Sequence, residues 1–228
     1  MIEYLFLDLD DTILDFHKAE RIAVSKTFRD FGIEPEAAVV ERYKQINILH
    51  WRMLERGEIT REQVKVGRFA ALFRELGIHL DPAAVTPVYE RYLAMGHYFL
   101  PGAEGAVAAL SKKYRLFLAS NGTSAVQAGR LTSANLYRFF EKVFVSQDIG
   151  HNKPAKAYFD ACFAQISDFD KSKAMMVGDS LTSDIRGGNN AGIRTCWVNP
   201  NHKLRDHDIH VDYEIEALPQ LEALLQTI

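Results

Sequence analysis

Asp8-Leu9-Asp10-Asp11-Thr12 sets three carboxylates within four residues, directly after the apolar run Tyr4-Leu5-Phe6-Leu7. Alternate strand residues share a face, so Asp8 and Asp10 point the same way if the strand continues that far. Acids crowded at the buried end of a strand need a counter-charge. Two later stretches have a related form. Arg115–Ala119 runs into Ser120-Asn121-Gly122, a hydroxyl and an amide beside backbone N–H groups, a setting suited to an anion. Ala174–Val177 runs into Gly178-Asp179-Ser180-Leu181-Thr182-Ser183-Asp184, whose two acids lie around a helix start. Carboxylates drawn from separate strand ends describe a hard-cation site, Mg²⁺ with waters completing an octahedron. Lys153, in Lys153-Pro154, supplies an ammonium able to reach a phosphate or a carboxylate. Each piece has an ordinary explanation: a polar turn capped by Asp11 or Thr12, a turn serine, a solvated lysine, a helix-start acid. Their order, each at or just after a strand end, is what points to a site.

The elements that must position these residues are legible as alternating patterns. Tyr4–Leu9, Arg115–Ala119, Lys142–Val145, Ala174–Val177 and Arg194–Val198 are short apolar runs that read as buried strands. Ala103–Lys113, Ala125–Leu136, Ala155–Gln165, Ser183–Ala191 and a segment near Leu218–Leu225 carry helical spacing. Ser124-Ala125-Val126-Gln127 has the form of a capping box opening the second of these helices. Strands alternating with helices predict an α/β fold, a doubly wound and mostly parallel sheet, with ligands at the carboxyl ends of its strands.

Residues 16–100 interrupt that alternation with about four helical patterns and no strand. Val39, Tyr43, Ile46, His50 and Met53 form one stripe; Val85, Val88, Tyr92 and Met95 form another. Thr60-Arg61-Glu62-Gln63 is a second capping box, Asp81-Pro82 pairs an N-cap with a first-turn proline, and Gly32, Gly57 and Gly77 sit at expected helix ends. The expected organisation is an α/β core of residues 1–15 and 101–228 and an inserted all-helical cap of residues 16–100. The hinges fall near Asp15–His17 and Leu100-Pro101-Gly102.

Composition narrows the function classes. The 228 residues hold 27 Lys+Arg and 30 Asp+Glu, a net charge of −3, which gives no electrostatic reason to expect a nucleic-acid polymer or an anionic membrane as partner. The longest apolar runs, Phe69–Phe73 and Ala106–Leu110, fall far short of the ~20 residues of a membrane-spanning helix. Met1–Asp8 carries an acid where a signal peptide would be basic. Cys162 and Cys196 form no CxxC pair, have no activating neighbour and suit a reducing cytosol, so a cytoplasmic location is expected. His202, His207 and His210 match no compact ligand spacing and are read as solvated loop residues.

Together, Asp8-x-Asp10, Ser120, Lys153 and Gly178-Asp179-x-x-x-x-Asp184 resemble the four motifs of the haloacid dehalogenase-like hydrolase superfamily, and the helical insert resembles the cap of its commonest subclass. Trp51…Gly57-Glu58-Ile59-Thr60, Gly67-Arg68-Phe69, Leu100-Pro101-Gly102-Ala103 and Ser183-Asp184-Ile185-x-Gly187-Gly188 with the residues up to Trp197 are similar to bacterial pyrimidine 5′-nucleotidases of the housecleaning type. The resemblance implies a phosphomonoesterase whose nucleophile is Asp8 and whose acid/base is Asp10. It implies Mg²⁺ held by Asp8, the Asp10 carbonyl, Asp179 and Asp184, with Asp184 binding directly or through water. Ser120, the Asn121 N–H and Lys153 would then hold the phosphoryl oxygens. The need for a cation is quantitative: two like charges 4 Å apart cost about 4 kcal/mol at an effective dielectric near 20.

The expected partner is a small phosphate monoester, a nucleoside 5′-monophosphate first, with a sugar phosphate, phosphoglycolate or a phosphomutase reaction as alternatives. A phospho-accepting signalling module uses similar groups, but its acceptor usually follows the third strand and it lacks a helical insert. A non-catalytic binder of phosphorylated ligands is the other remaining class. His17, Trp51, Arg68 and Phe69 are candidates for selecting the substrate, each weighed against simple packing or surface exposure. Monomer and homodimer are equally open.

Overall fold

The computed structural model describes residues 1–205 and 208–228; His207 lies outside the described residues. In chain order the elements are β1 (Tyr4–Leu7), α1 (Phe16–Asp30), α2 (Ala37–Glu55), α3 (Arg61–Leu76), α4 (Pro82–Ala94), α5 (Ala103–Leu110), β2 (Arg115–Ser120) and α6 (Ser124–Ser133). There follow β3 (Lys142–Val145), α7 (Ser146–Ile149), α8 (Lys156–Phe163), β4 (Ala174–Gly178), a π-type turn (Leu181–Ile185), α9 (Arg186–Ala191), β5 (Arg194–Val198), β6 (Tyr213–Ile215) and α10 (Gln220–Leu225). The chain divides into two compact units, residues 1–15 with 97–228, and residues 16–96.

The first unit is built on a six-stranded sheet in the order β3-β2-β1-β4-β5-β6, every neighbouring pair parallel. Such a sheet must be covered on both faces, which is why its central strands β1 and β4 read as unbroken apolar runs. Leu5 and Leu7 pack with Val107 and Leu110 of α5, Leu131 of α6 and Leu221 of α10. Tyr4 and Phe6 face the other way, into Phe117, Phe144, and Tyr158, Phe159 and Cys162 of α8. The Phe6 and Phe117 rings stack at 5.2 Å. Leu7, the last residue of β1, lies in register with Leu118 of β2 and Val177 of β4, so β2 runs two residues past it to Ser120 and β4 one residue past it to Gly178. β1 has neighbours on both sides, and the strand order reverses there, the place where such sheets bind ligands.

Several boundaries differ from the sequence expectation for physical reasons. β1 ends at Leu7, not Leu9, because Asp11 turns back at φ 55° and the Leu9 carbonyl accepts from the N–H groups of Ile13 and Leu14. The helix expected over Ser183–Ala191 begins with a π-type turn and becomes regular only at Arg186. β6 has three residues, too few for a periodic signal, and forms by pairing with β5. The second crossing between units lies at 96–97 rather than near Leu100, since Tyr98 accepts from Asp15 N and Leu100 donates to Ile13.

The second unit consists of α1–α4. Phe28, Tyr43, Phe69, Leu72, Phe73, Val85 and Tyr89 are buried in it, with the Tyr43 and Phe69 rings 5.0 Å apart. The Thr60–Gln63 capping box forms in both directions, and the Asp81 side chain accepts from Ala83 N with Pro82 in the first turn. On α4 the buried stripe is Val85, Thr86, Tyr89 and Leu93; Met95 is exposed and the Tyr92 hydroxyl donates to Asp30. Among the described residues no helix is long and apolar enough to cross a membrane.

Candidate active site

The adjacent carboxyl ends of β1 and β4 bring the acids together. Asp8 follows β1 and its N–H continues the ladder to Val177 O. Asp179 follows β4, and its carbonyl accepts from the Trp197 indole N–H of β5 at 2.8 Å, fixing the turn. Asp184 folds back so that Ser180 N–H donates to its Oδ2 at 3.0 Å. Gly178 is required by this return, because a Cβ there would overlap the Asp184 carboxylate. Oxygens of Asp8, Asp179 and Asp184 lie within 4.8 Å of one another, the spacing of ligands around one ion.

Lys153 arrives from the loop before α8, with its side chain 1% exposed. Its Nζ donates to Asp8 Oδ1 at 2.7 Å, Asp184 Oδ1 at 2.6 Å and Ala119 O at 2.6 Å. These use all three hydrogens of an ammonium. Lys153 thereby aligns the Asp8 and Asp184 carboxylates on one ammonium. Asn121 positions it: the side-chain amide donates to Lys153 O and accepts from Lys153 N, at 2.9 and 2.8 Å. The Asn121 side chain is thus engaged at both its oxygen and its nitrogen by the Lys153 backbone.

Ser120 Oγ accepts from Gly122 N–H at 3.1 Å and from Gln127 Nε2 at 2.8 Å. Both lone pairs are then used, and the hydroxyl proton is what it offers a ligand oxygen. Asp10, 27% exposed in its side chain, accepts from Gln127 Nε2 at 2.7 Å and is ion-paired to Arg130 Nη1. Gln127 and Arg130 were not anticipated as site residues. The Ser124–Gln127 capping box does not form: the N-cap is Thr123 without a side-chain bond, and Ser124 Oγ donates to Asp148. The available signal was two polar residues three apart on a helix that otherwise buries Val126 and Leu131.

Charge at the site is unbalanced. Burial pushes the Asp8 carboxyl up to about 8 against the opposing pull of Lys153, with Asp184 and Asp10 adding repulsion. Burial also raises Asp179 well above the carboxylate range, reinforced by Asp184 and Asp8. Burial alone would lower Lys153, yet Asp184 and Asp8 outweigh it and hold the ammonium above its usual value. Three clustered carboxylates with one ammonium favour a further cation, and an all-oxygen donor set suits a hard divalent one.

The other candidates belong to the second unit. Phe69 lies fully in its core, and Arg68 is buried, donating to Asn47 at 3.0 Å with its guanidinium 4.6 Å from the Tyr89 ring. Packing engages Phe69, and Arg68 belongs to a buried polar chain in which Asn47 donates in turn to Glu20. Trp51 is half-buried with the Arg61 guanidinium 5.8 Å from its ring, and His17 is exposed in the first turn of α1. In the first unit, His202 and His210 lie beside Glu216 and Asp212, at 3.6 and 3.2 Å.

The family model described as haloacid dehalogenase-like hydrolase matches residues 4–198. This chain belongs to the haloacid dehalogenase-like hydrolase family. YfnB of Bacillus subtilis is 40% identical over 221 residues, covering 97% of this chain and 94% of that protein. A crystal structure of YfnB bound to magnesium superposes with a TM-score of 0.94 over 98% of both chains. Two pyrimidine 5′-nucleotidases are also similar: PynA of Streptococcus pneumoniae, 36% identical over 96% of this chain and 93% of its own, and YjjG of Escherichia coli, 30% identical over 98% and 97%. Within this hydrolase the two faces of the parallel sheet are covered as the family fold requires, and the acids stand at the strand ends described above.

Proposed function

We infer that the protein is a Mg²⁺-dependent phosphomonoesterase that works through an aspartyl-phosphate and acts on nucleoside 5′-monophosphates, those of pyrimidines first. The observation that carries this reading is the convergence of Asp8, Asp179, Asp184, Lys153 and Ser120 from four separate segments of the chain. Similarity to PynA and YjjG over nearly the whole chain supports the nucleotide substrate.

In this reading an Asp8 oxygen attacks phosphorus, the ester P–O bond breaks, and the Asp10 proton goes to the leaving oxygen. Water then attacks the aspartyl-phosphate, giving its proton to Asp10 and releasing inorganic phosphate, which restores Asp8. Ser120 O–H and the Asn121 N–H hold phosphoryl oxygens, while Lys153 holds Asp8 in line and offsets its charge. Asp8, Asp179 and Asp184, with the Asp10 carbonyl, are the groups that would hold Mg²⁺. The ion supplies the positive charge that lets a carboxylate approach a phosphate dianion.

The test is phosphate release from a panel of nucleoside monophosphates, sugar phosphates and phosphoglycolate, with Mg²⁺ and with EDTA. Turnover is expected to need the metal, to vanish in Asp8→Asn and to favour dUMP, UMP or dTMP. Turnover in EDTA, or full activity in Asp8→Asn, contradicts the mechanism; a flat panel contradicts the substrate assignment alone.

A further inference from the structure

Arg130 is a fully buried arginine on α6, and Gln127 lies one turn before it, 1% exposed. Both face the loop after β1 rather than solvent. A buried guanidinium is costly to desolvate, so its partner's charge and hydrogen bonds must offset that cost. Here that partner is Asp10. Gln127 Nε2 donates to Asp10 Oδ2 at 2.7 Å while Arg130 Nη1 pairs with Oδ1, so each carboxylate oxygen is held by a different residue of one helix. Arg130 Nη1 also donates to Gln127 Oε1 at 3.2 Å, closing the ring of three side chains. Rotation of the Asp10 carboxylate is blocked at both ends.

The other hydrogen of the Gln127 amide goes to Ser120 Oγ at 2.8 Å. One side chain thereby joins the group placed to move the proton and the hydroxyl placed to hold the phosphoryl group. Gly122 makes room for it: a Cβ at that position would lie 2.6 Å from Gln127 Cδ and 2.7 Å from its Cγ. The absence of a side chain at 122 is therefore a requirement of the Gln127 seat.

We propose that Gln127 and Arg130 are positioning residues that hold Asp10 in the orientation needed to protonate the leaving oxygen, with Gln127 tying that orientation to the phosphate-binding Ser120. This rests on the reading of Asp10 as acid/base given above. Its consequence is a dependence on leaving group. An alkoxide leaves only with a proton, whereas p-nitrophenolate departs without one. Loss of the clamp falls on the first kind of substrate and spares the second.

The experiment compares kcat/KM and kcat for a nucleoside 5′-monophosphate and for p-nitrophenyl phosphate in wild type, Gln127→Met, Arg130→Met, Gly122→Ala and Asp10→Asn. A misfolded fraction lowers both substrates equally, so the ratio between them reports the active site alone. General acid–base catalysis contributes about 10²–10⁴-fold, and each clamp variant is expected to lose about tenfold or more on the nucleotide beyond its loss on the aryl ester. Adding Gln127→Met to Asp10→Asn is expected to change the ratio no further. Equal losses on both substrates in Gln127→Met and Arg130→Met, with Asp10→Asn still discriminating, would overturn the positioning role and leave the acid role intact. Wild-type nucleotide turnover by Asp10→Asn would overturn the acid role itself.

Discussion

Replacing Lys153 by methionine keeps most of the side-chain volume and deletes one charge, so it isolates what the ammonium does. In the wild type that charge is 1% exposed and bonded to two carboxylates and a backbone carbonyl, at 2.6–2.7 Å. Asp184, equally buried, then loses its ammonium partner and retains the donations from Ser180 N–H and Ser183 Oγ. Removing one partner of a buried ion pair costs about 3–5 kcal/mol, because the other is left uncompensated. Asp8, already pushed up to about 8 by burial, can shed its charge by taking a proton, which places the loss near the lower limit, about 3 kcal/mol. With an m-value near 2 kcal/mol per M, the urea midpoint of the first unit should fall by ~1.5 M in EDTA.

Added Mg²⁺ should stabilise the variant more than the wild type, since it no longer shares its ligands with an ammonium. At about a hundred times its Kd a ligand contributes roughly 2.7 kcal/mol. The assay is urea unfolding followed by far-UV circular dichroism, with and without Mg²⁺, alongside turnover, which should be lost. A loss below about 1 kcal/mol in EDTA would refute the reasoning, as would equal stabilisation of both proteins by Mg²⁺.

Other substitutions probe the supports of the site. Gly178→Ala drives a methyl into the Asp184 side chain, 2.8 Å from its Cβ, and should cost about 1–3 kcal/mol in thermal or urea unfolding together with most of the turnover. Trp197→Phe removes the indole hydrogen bond to the Asp179 carbonyl; a stability loss near 1 kcal/mol and a severalfold higher Mg²⁺ requirement are expected from a metal titration. Arg68→Ala breaks the buried Arg68–Asn47–Glu20 chain and should lower stability by about 3 kcal/mol while leaving the ranking of substrates in the panel unchanged. Burial pushes the Cys162 and Cys196 thiols up to about 12, so near pH 8 neither should react with iodoacetamide until the protein is unfolded, as mass spectrometry would show.

Much of the first unit was legible because its signals are local. A strand buried on both faces has to be apolar at nearly every position, so the central strands announce themselves as short runs such as Leu116–Ala119 and Met175–Val177. Asp8, Ser120 and Asp179 stand out because each follows such a run at once. The same locality set the limits. Gln127 satisfies the pattern of a capping residue, and only the approach of the β1 loop converts it into a ligand of Asp10. Arg68 and Phe69 match a substrate-selecting stretch by type, yet the packing of α2, α3 and α4 around Tyr43 and Tyr89 turns them inward. On α4 two stripes of suitable spacing compete, and the fold of the helical unit chose Tyr89 and Leu93 over Tyr92 and Met95.

The amino-acid sequence by itself determined which chemistry is available: carboxylates, an ammonium and a hydroxyl, each tied to a strand end by the residues before it. Tertiary structure decided the partnerships. Asp8 and Lys153 are 145 positions apart, and Asp10 and Arg130 are 120 apart. Their meeting depends on parallel strands lying side by side in one register, a property of the sheet rather than of any local segment. Short-range propensity states what a residue can offer, while the burial and charge of distant neighbours state whether it holds a metal, a proton or only another side chain.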